Sequence, residues 1–221
     1  MTTPINFDPC RIGDGWSVTS RDTLGALLGA GTVIHEALEA FRGLDPLDFG
    51  RLDEAFDLCI ERKIPTHTLV VYDPAAHQGA EMNPPKSHYD ADLTKYTLDG
   101  ENRLLAAFRA PWMRDDRDDA PSTTWLRERA QEWMRARSGE QYPYAEVLAF
   151  LDLPINYEGH EVCSMWALAF QFYLQNSADA YCNWPYGWVR DVSYSAFHPG
   201  LISPYELHHG LMGLGWGVEI R

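Results

Sequence analysis

His67-Thr-Leu-Val-Val-Tyr-Asp73, then Pro74-Ala-Ala-His-Gln78, then Gly79-Ala-Glu-Met82 is the stretch on which the fold turns. The first seven residues are mostly β-branched, apolar or aromatic, which predicts a strand. The proline-led segment predicts a turn, and the last four residues a returning strand that stops at Asn83-Pro84-Pro85. Outward from this hairpin, Gly13-Asp14-Gly15 reads as a turn before a short strand at Trp16-Ser-Val18. Residues 93–98 suggest a short strand, Leu104 to Arg109 a better one, and 217–220 a closing strand. Helical spacing marks 22–43, broken around Gly29-Ala-Gly31, and 46–62 after Asp45-Pro46, with Cys59 on its apolar face. Ser122 is placed to cap a helix that runs to Arg137, with Gly139 past its end. A short helix follows at 145–151, then the apolar run from Cys163 to Leu174, then a last helix opened by Ser203-Pro204. Strands clustered beside segregated helices indicate an α+β fold rather than a doubly wound sheet.

The chain has 221 residues, 45% of them hydrophobic, which suits one domain with a sizeable core. Its formal charge of −14 and the lack of a basic stripe argue against nucleic acid as a partner. No stretch reaches eighteen apolar residues, so no membrane span is expected. The start of the chain has neither a basic nor an apolar leader region, so no signal peptide is expected; the reading is cytoplasmic or particle (virion)-associated. Cys10, Cys59, Cys163 and Cys182 are scattered with no CxxC pair, which speaks against a zinc ribbon or a disulfide framework. No cofactor and no metal centre are expected. His160-x-x-Cys163 has metal-like spacing but no second pair, and the adjacent His208 and His209 point in different directions on a helix, so a site with Cys182 and His198 is disfavoured. His35, His77 and His88 read as solvent-exposed. The acidic run at 115–119 reads as a solvated loop. The aromatics Trp184, Tyr186, Trp188, Tyr194 and Phe197 read as packing around a loop more readily than as a substrate groove.

Cys163 heads its apolar run, where a helix macrodipole and free amide N–H groups favour negative charge. Those are the conditions for a thiolate nucleophile. Buried cysteines are more often inert small hydrophobes, so the reading depends on a base and an orienting group elsewhere. His67 begins a strongly apolar strand, where a polar ring needs a reason to be. Glu81 lies on the return strand of the same hairpin, within cross-strand reach, and a carboxylate there would fix the imidazole tautomer and support its positive charge. Each of the two, taken alone, also reads as a solvent-facing strand residue. A separation above about 6 Å between the Cys163 sulfur and both His67 ring nitrogens would favour a non-catalytic reading.

These residues, in this order, resemble the circularly permuted NlpC-type (YiiX/YebB-like) branch of the papain-like cysteine peptidases and amidases. The resemblance rests on Gly13-Asp14, the His67 and Glu81 strands, the strand Leu104 to Pro111 ending in arginine and proline, Gly139-x-x-Tyr142, Cys163-Ser164 and Ser203-Pro204-x-x-Leu207. It covers about residues 10–210, and its force lies in the ordered set rather than in any single motif. The resemblance implies one permuted papain-like domain over 1–221, an antiparallel sheet packed against a central cysteine-bearing helix. Residues 22–62 depart from the family pattern and read as a helical insertion able to shape the cleft or bind a protein partner. The resemblance further implies Cys163 as nucleophile, His67 as general base and Glu81 as orienter, with Tyr142 and Ser164 at the substrate cleft. The implied substrate is a peptide or muropeptide: amide bonds of peptidoglycan stem peptides or similar N-acyl amino acids. Two alternatives remain open, a structural or assembly protein of virion type that kept the fold, and a lipid acyltransferase of the same superfamily.

Overall fold

The structure, a computed structural model, describes residues 2–20, 57, 59–114, 122–142, 162–182 and 202–220. Among these residues six strands form one antiparallel sheet: β1 (Gly15–Thr19), β2 (His67–Asp73), β3 (Gln78–Asn83), β4 (Lys86–Asp92), β5 (Arg103–Phe108) and β6 (Gly217–Val218). Their spatial order is β4-β3-β2-β1-β5-β6, which puts the His67 strand in the interior of the sheet and β4 at one edge. Three helices accompany them: α1 (Thr123–Ala136), α2 (Cys163–Cys182) and α3 (Pro204–Gly213). The α+β expectation is met. Of the predicted helices at 22–43, 46–62 and 145–151, only the end of the second is described, and residues 59–62 are helical. The aromatic segment from Trp184 to Phe197 and His35, His160 and His198 lie outside the described residues.

The sheet is covered on both faces. Toward the helices, Val70, Tyr72, Ala80, Met82 and Phe108 share a core with Leu126 and Ala130 of α1, Trp166, Phe170 and Leu174 of α2, and Leu207 of α3. A second core on the other side gathers Trp16, Val18, Leu69, Val71, Leu93 and Leu104 with Ile5 and Cys10. This is why β2 reads as a continuous apolar run: a strand buried on both faces has no polar face to alternate with. The turn after it is held by Asp73, whose Oδ1 accepts from the amides of Ala75 (3.0 Å) and Ala76 (3.1 Å).

Two helix starts match their local signals. Ser122 accepts from the Trp125 amide at 3.2 Å. Ser203 accepts from the Glu206 amide at 3.1 Å while Glu206 accepts from the Ser203 amide at 2.8 Å, a full capping box with proline at the first helical position. The strand expected at residues 93–98 needs correcting. Lys86–Asp92 is a strand, and residues 93–95 form a single 3-10 turn rather than a strand. Lys86, Tyr89, Asp90 and Asp92 of β4 are exposed, and a polar edge strand carries no apolar alternation to be read.

Two of the ordered motifs meet across 95 residues of chain. Arg109 grips Asp14 with two hydrogen bonds of 2.7 Å, from Nε to Oδ1 and from Nη2 to Oδ2, and also donates to the Pro9 carbonyl at 2.7 Å. Asp14 is fully buried and takes a further bond from the Arg11 amide at 2.8 Å. Gly13 beside it adopts φ +89°, and a Cβ there would come within 2.8 Å of the Met113 methyl. Only glycine suits both the backbone and the space.

Candidate active site

Cys163 is the first residue of α2, after Val162, whose carbonyl accepts from the Trp166 amide at 2.8 Å. Helix geometry leaves the amides of that first turn without intrahelical acceptors, so they surround the thiol with partial positive charge. α2 lies against β2 and β3, which brings its N-terminus to the strands that carry His67 and Glu81. The structure brings the three side chains together. Nε2 of His67 lies 2.7 Å from Oε2 of Glu81, and Cys163 sits near enough to the same ring to act on its charge. With Nε2 taken by Glu81, Nδ1 is the ring nitrogen left for the thiol. Relative exposures are 0% for Cys163, 5% for His67 and 1% for Glu81.

Electrostatics follow from that enclosure. Burial works against a positive ring, yet the charge and hydrogen bond of Cys163, and then those of Glu81, outweigh it and raise the His67 pKa to about 10. Burial also works against the Glu81 carboxylate, but hydrogen bonds from His67 and His88 and the charges of His67 and Lys95 hold it well below the usual carboxylate range. The cluster therefore favours an imidazolium at His67 with an ionised carboxylate behind it. Cys59 and Cys10 differ. Burial pushes the Cys59 thiol up to about 12, and burial with the nearby Asp14 does the same for Cys10.

Ser164 and Tyr142 occupy specific places nearby. Ser164 is buried, and its hydroxyl donates to the Ile202 carbonyl, tying the start of α2 to the segment that leads into α3. Tyr142 is buried in the core that holds Val162, Cys163 and Trp166, and its amide donates to the Pro85 carbonyl at 2.9 Å. The Gly139–Tyr142 segment runs along the edge of β4. The Gly139 amide donates to the Ser87 carbonyl at 2.9 Å, and the Ser87 hydroxyl accepts from the Glu140 amide at 3.0 Å.

His88 is the residue that sequence reasoning missed. It is half-buried rather than solvent-exposed, and its Nε2 lies 3.3 Å from Oε1 of Glu81. Glu81 and His88 face each other directly in the β3–β4 ladder. The signal was a second hairpin turn at Pro84-Pro85, which would have placed residue 88 opposite residue 81. His77 is exposed as expected and stacks on Phe7 with centroids 4.2 Å apart. His208 packs edge-on against Phe108 at 5.6 Å, and burial, with the neighbouring His209, lowers its pKa to about 4. Among the described residues no group of three or more potential ligands is arranged to hold a metal ion, and no helix is long and apolar enough to cross a membrane. Comparison with protein-family models, curated proteins and solved structures finds no match to this chain.

Proposed function

We propose that this chain is a cysteine hydrolase of the permuted papain-like type, a peptidase or amidase that cleaves amide bonds through Cys163, His67 and Glu81. The observation that carries this reading is the His67 ring bridging Cys163 on one side and Glu81 on the other, at the N-terminus of a buried helix. His67 takes the thiol proton, and the Cys163 thiolate attacks the substrate carbonyl carbon. The oxyanion that forms is met by amide N–H groups of the first turn of α2. As the tetrahedral adduct collapses, the C–N bond breaks and the proton on His67 passes to the departing amine, leaving a thioester on Cys163. Water then loses a proton to His67, attacks the thioester and frees the carboxylic acid, and the proton returns to the sulfur. Glu81 holds the ring and balances its charge throughout. The substrate class is carried by the family resemblance: stem peptides of peptidoglycan or similar N-acyl amino acids.

One observation favours a second reading. Cys163 has no exposed surface, as befits a structural or assembly protein that keeps the trio closed. Incubation with purified peptidoglycan or a synthetic muropeptide, with mass spectrometry of the products, separates the two. Cleavage at an amide bond by the native chain, lost in Cys163→Ala at unchanged far-ultraviolet circular dichroism, is the expected result. Equal cleavage by Cys163→Ala would sink the hydrolase reading.

A further inference from the structure

Glu81 has two carboxylate oxygens, and Oε2 is the one that serves His67. The other, Oε1, lies 3.3 Å from Nε2 of His88 and 3.6 Å from the Lys95 ammonium. The second ring nitrogen of His88, Nδ1, lies 2.9 Å from Oδ1 of Asp90. Five side chains thus form one connected line: Asp90, His88, Glu81, His67 and Cys163. The inner end of the line is enclosed, whereas about a third of the His88 side chain and most of Asp90 are open to solvent. A proton from bulk water can reach His88 without entering the buried cluster.

The chemistry of the middle member makes this connection consequential. Glu81 is so deeply buried that water cannot solvate it, and its two oxygens are served by opposite partners. When His88 is protonated, its charge draws on Oε1 and weakens the field that Glu81 directs at His67. When His88 loses its proton, more of that field falls on His67. The charged groups facing His88 are Glu81 across the ladder and Asp90 on its own strand, while Lys95 shares the same Glu81 oxygen. The Glu81 hydrogen bond foremost, opposed by partial burial and aided by Asp90, raises the His88 pKa above its ordinary value.

We propose that His88, oriented by Asp90, is a positioning residue whose charge state sets how strongly Glu81 acts on His67 and, through His67, on Cys163. The consequence for reactivity rests on the reading of Cys163 as a nucleophile; the coupling of the two rings through Glu81 does not. Two readouts test it on the full chain in the native form, His88→Gln and Asp90→Asn: the His67 ring carbon-13 shift from pH 5 to 10, and the rate of Cys163 alkylation by iodoacetamide over the same range. Glutamine keeps an amide donor toward Glu81 but cannot titrate, and Asp90 is exposed, so its variant keeps the fold. In the native chain the His67 shift and the alkylation rate both show a step at the His88 midpoint. His88→Gln loses that step, and Asp90→Asn moves it to lower pH, the effect of removing a nearby opposite charge. The proposal is overturned if the His67 shift has no such step, or if both variants superimpose on the native chain. If Cys163 is alkylated in no form while the His67 step is present and lost in His88→Gln, the coupling stands and the hydrolase reading falls.

Discussion

At the residue scale, the three cysteines whose side chains are described separate by their neighbours rather than by their burial. All three are enclosed, but Cys163 alone among them touches an imidazole, while Cys10 and Cys59 have pKa values pushed to about 12. At pH 7 iodoacetamide should therefore modify Cys163 well before Cys10 or Cys59, as read by peptide mapping. His67→Ala should slow that modification by roughly tenfold or more. Without the ring the thiol loses the partner that favours its ionised form, and the higher nucleophilicity of a less stabilised thiolate recovers part of the loss. Equal modification of all three would remove the nucleophile reading. His67 and Glu81 were legible because a titratable side chain at the head of an apolar strand, with a carboxylate on its return strand, is locally conspicuous. His88 was legible only through the register that the Pro84-Pro85 turn sets, because nothing within Lys86-Ser-His-Tyr-Asp90 itself separates a ring that faces a buried carboxylate from one that faces water.

At the element scale, two contacts hold the frame around α2. The capping box at Ser203 starts α3, and Ser164 ties the segment just before it to the start of α2. Ser203→Ala should cost about 1 kcal/mol in urea unfolding, the usual value of a lost N-cap. The Asp14–Arg109 pair ties the turn before β1 to the end of β5. Arg109→Met leaves a buried carboxylate without its guanidinium and should cost about 3–5 kcal/mol, much more than the cap. A loss below about 1 kcal/mol would mean that Asp14 is satisfied by other groups. Both helix caps were readable from four consecutive residues. The ion pair was not, since only the folded sheet brings residue 14 to residue 109.

At the scale of the whole molecule, buried His67 and half-buried His208, with opposite shifts, shape stability against pH. The His208 pKa is lowered to about 4, so the unfolded chain binds more protons than the folded one between about 4 and 6.5. Its contribution is present above pH 6.5 and is lost as pH falls toward 4. Glu81, also lowered, acts in the same direction below its ordinary value of 4.5. His67 acts in the opposite sense: its raised pKa gives a contribution fully present below 6.5 and lost as pH rises toward 10. The urea midpoint should accordingly rise from pH 4 to 6.5 and decline from there toward pH 10. His208→Gln should flatten the acid side and leave the alkaline decline in place. A native midpoint independent of pH between 4 and 6.5 would contradict the His208 assignment.

The sequence by itself determined what local pattern encodes. It gave β2 its continuous apolar run and its turn, α1 and α3 their caps, and the chain a thiol, an imidazole and a carboxylate in positions where each needed a structural reason. Tertiary structure decided what depends on partners distant in the chain. It decided that polar residues 86–92 form the edge strand, that Arg109 neutralises Asp14, that Ser164 bonds Ile202, and that a second histidine backs Glu81. The physical reason is that hydrophobic periodicity and capping act within a few residues, whereas the pairing of buried charges is settled only when the sheet and its helices exclude water around them.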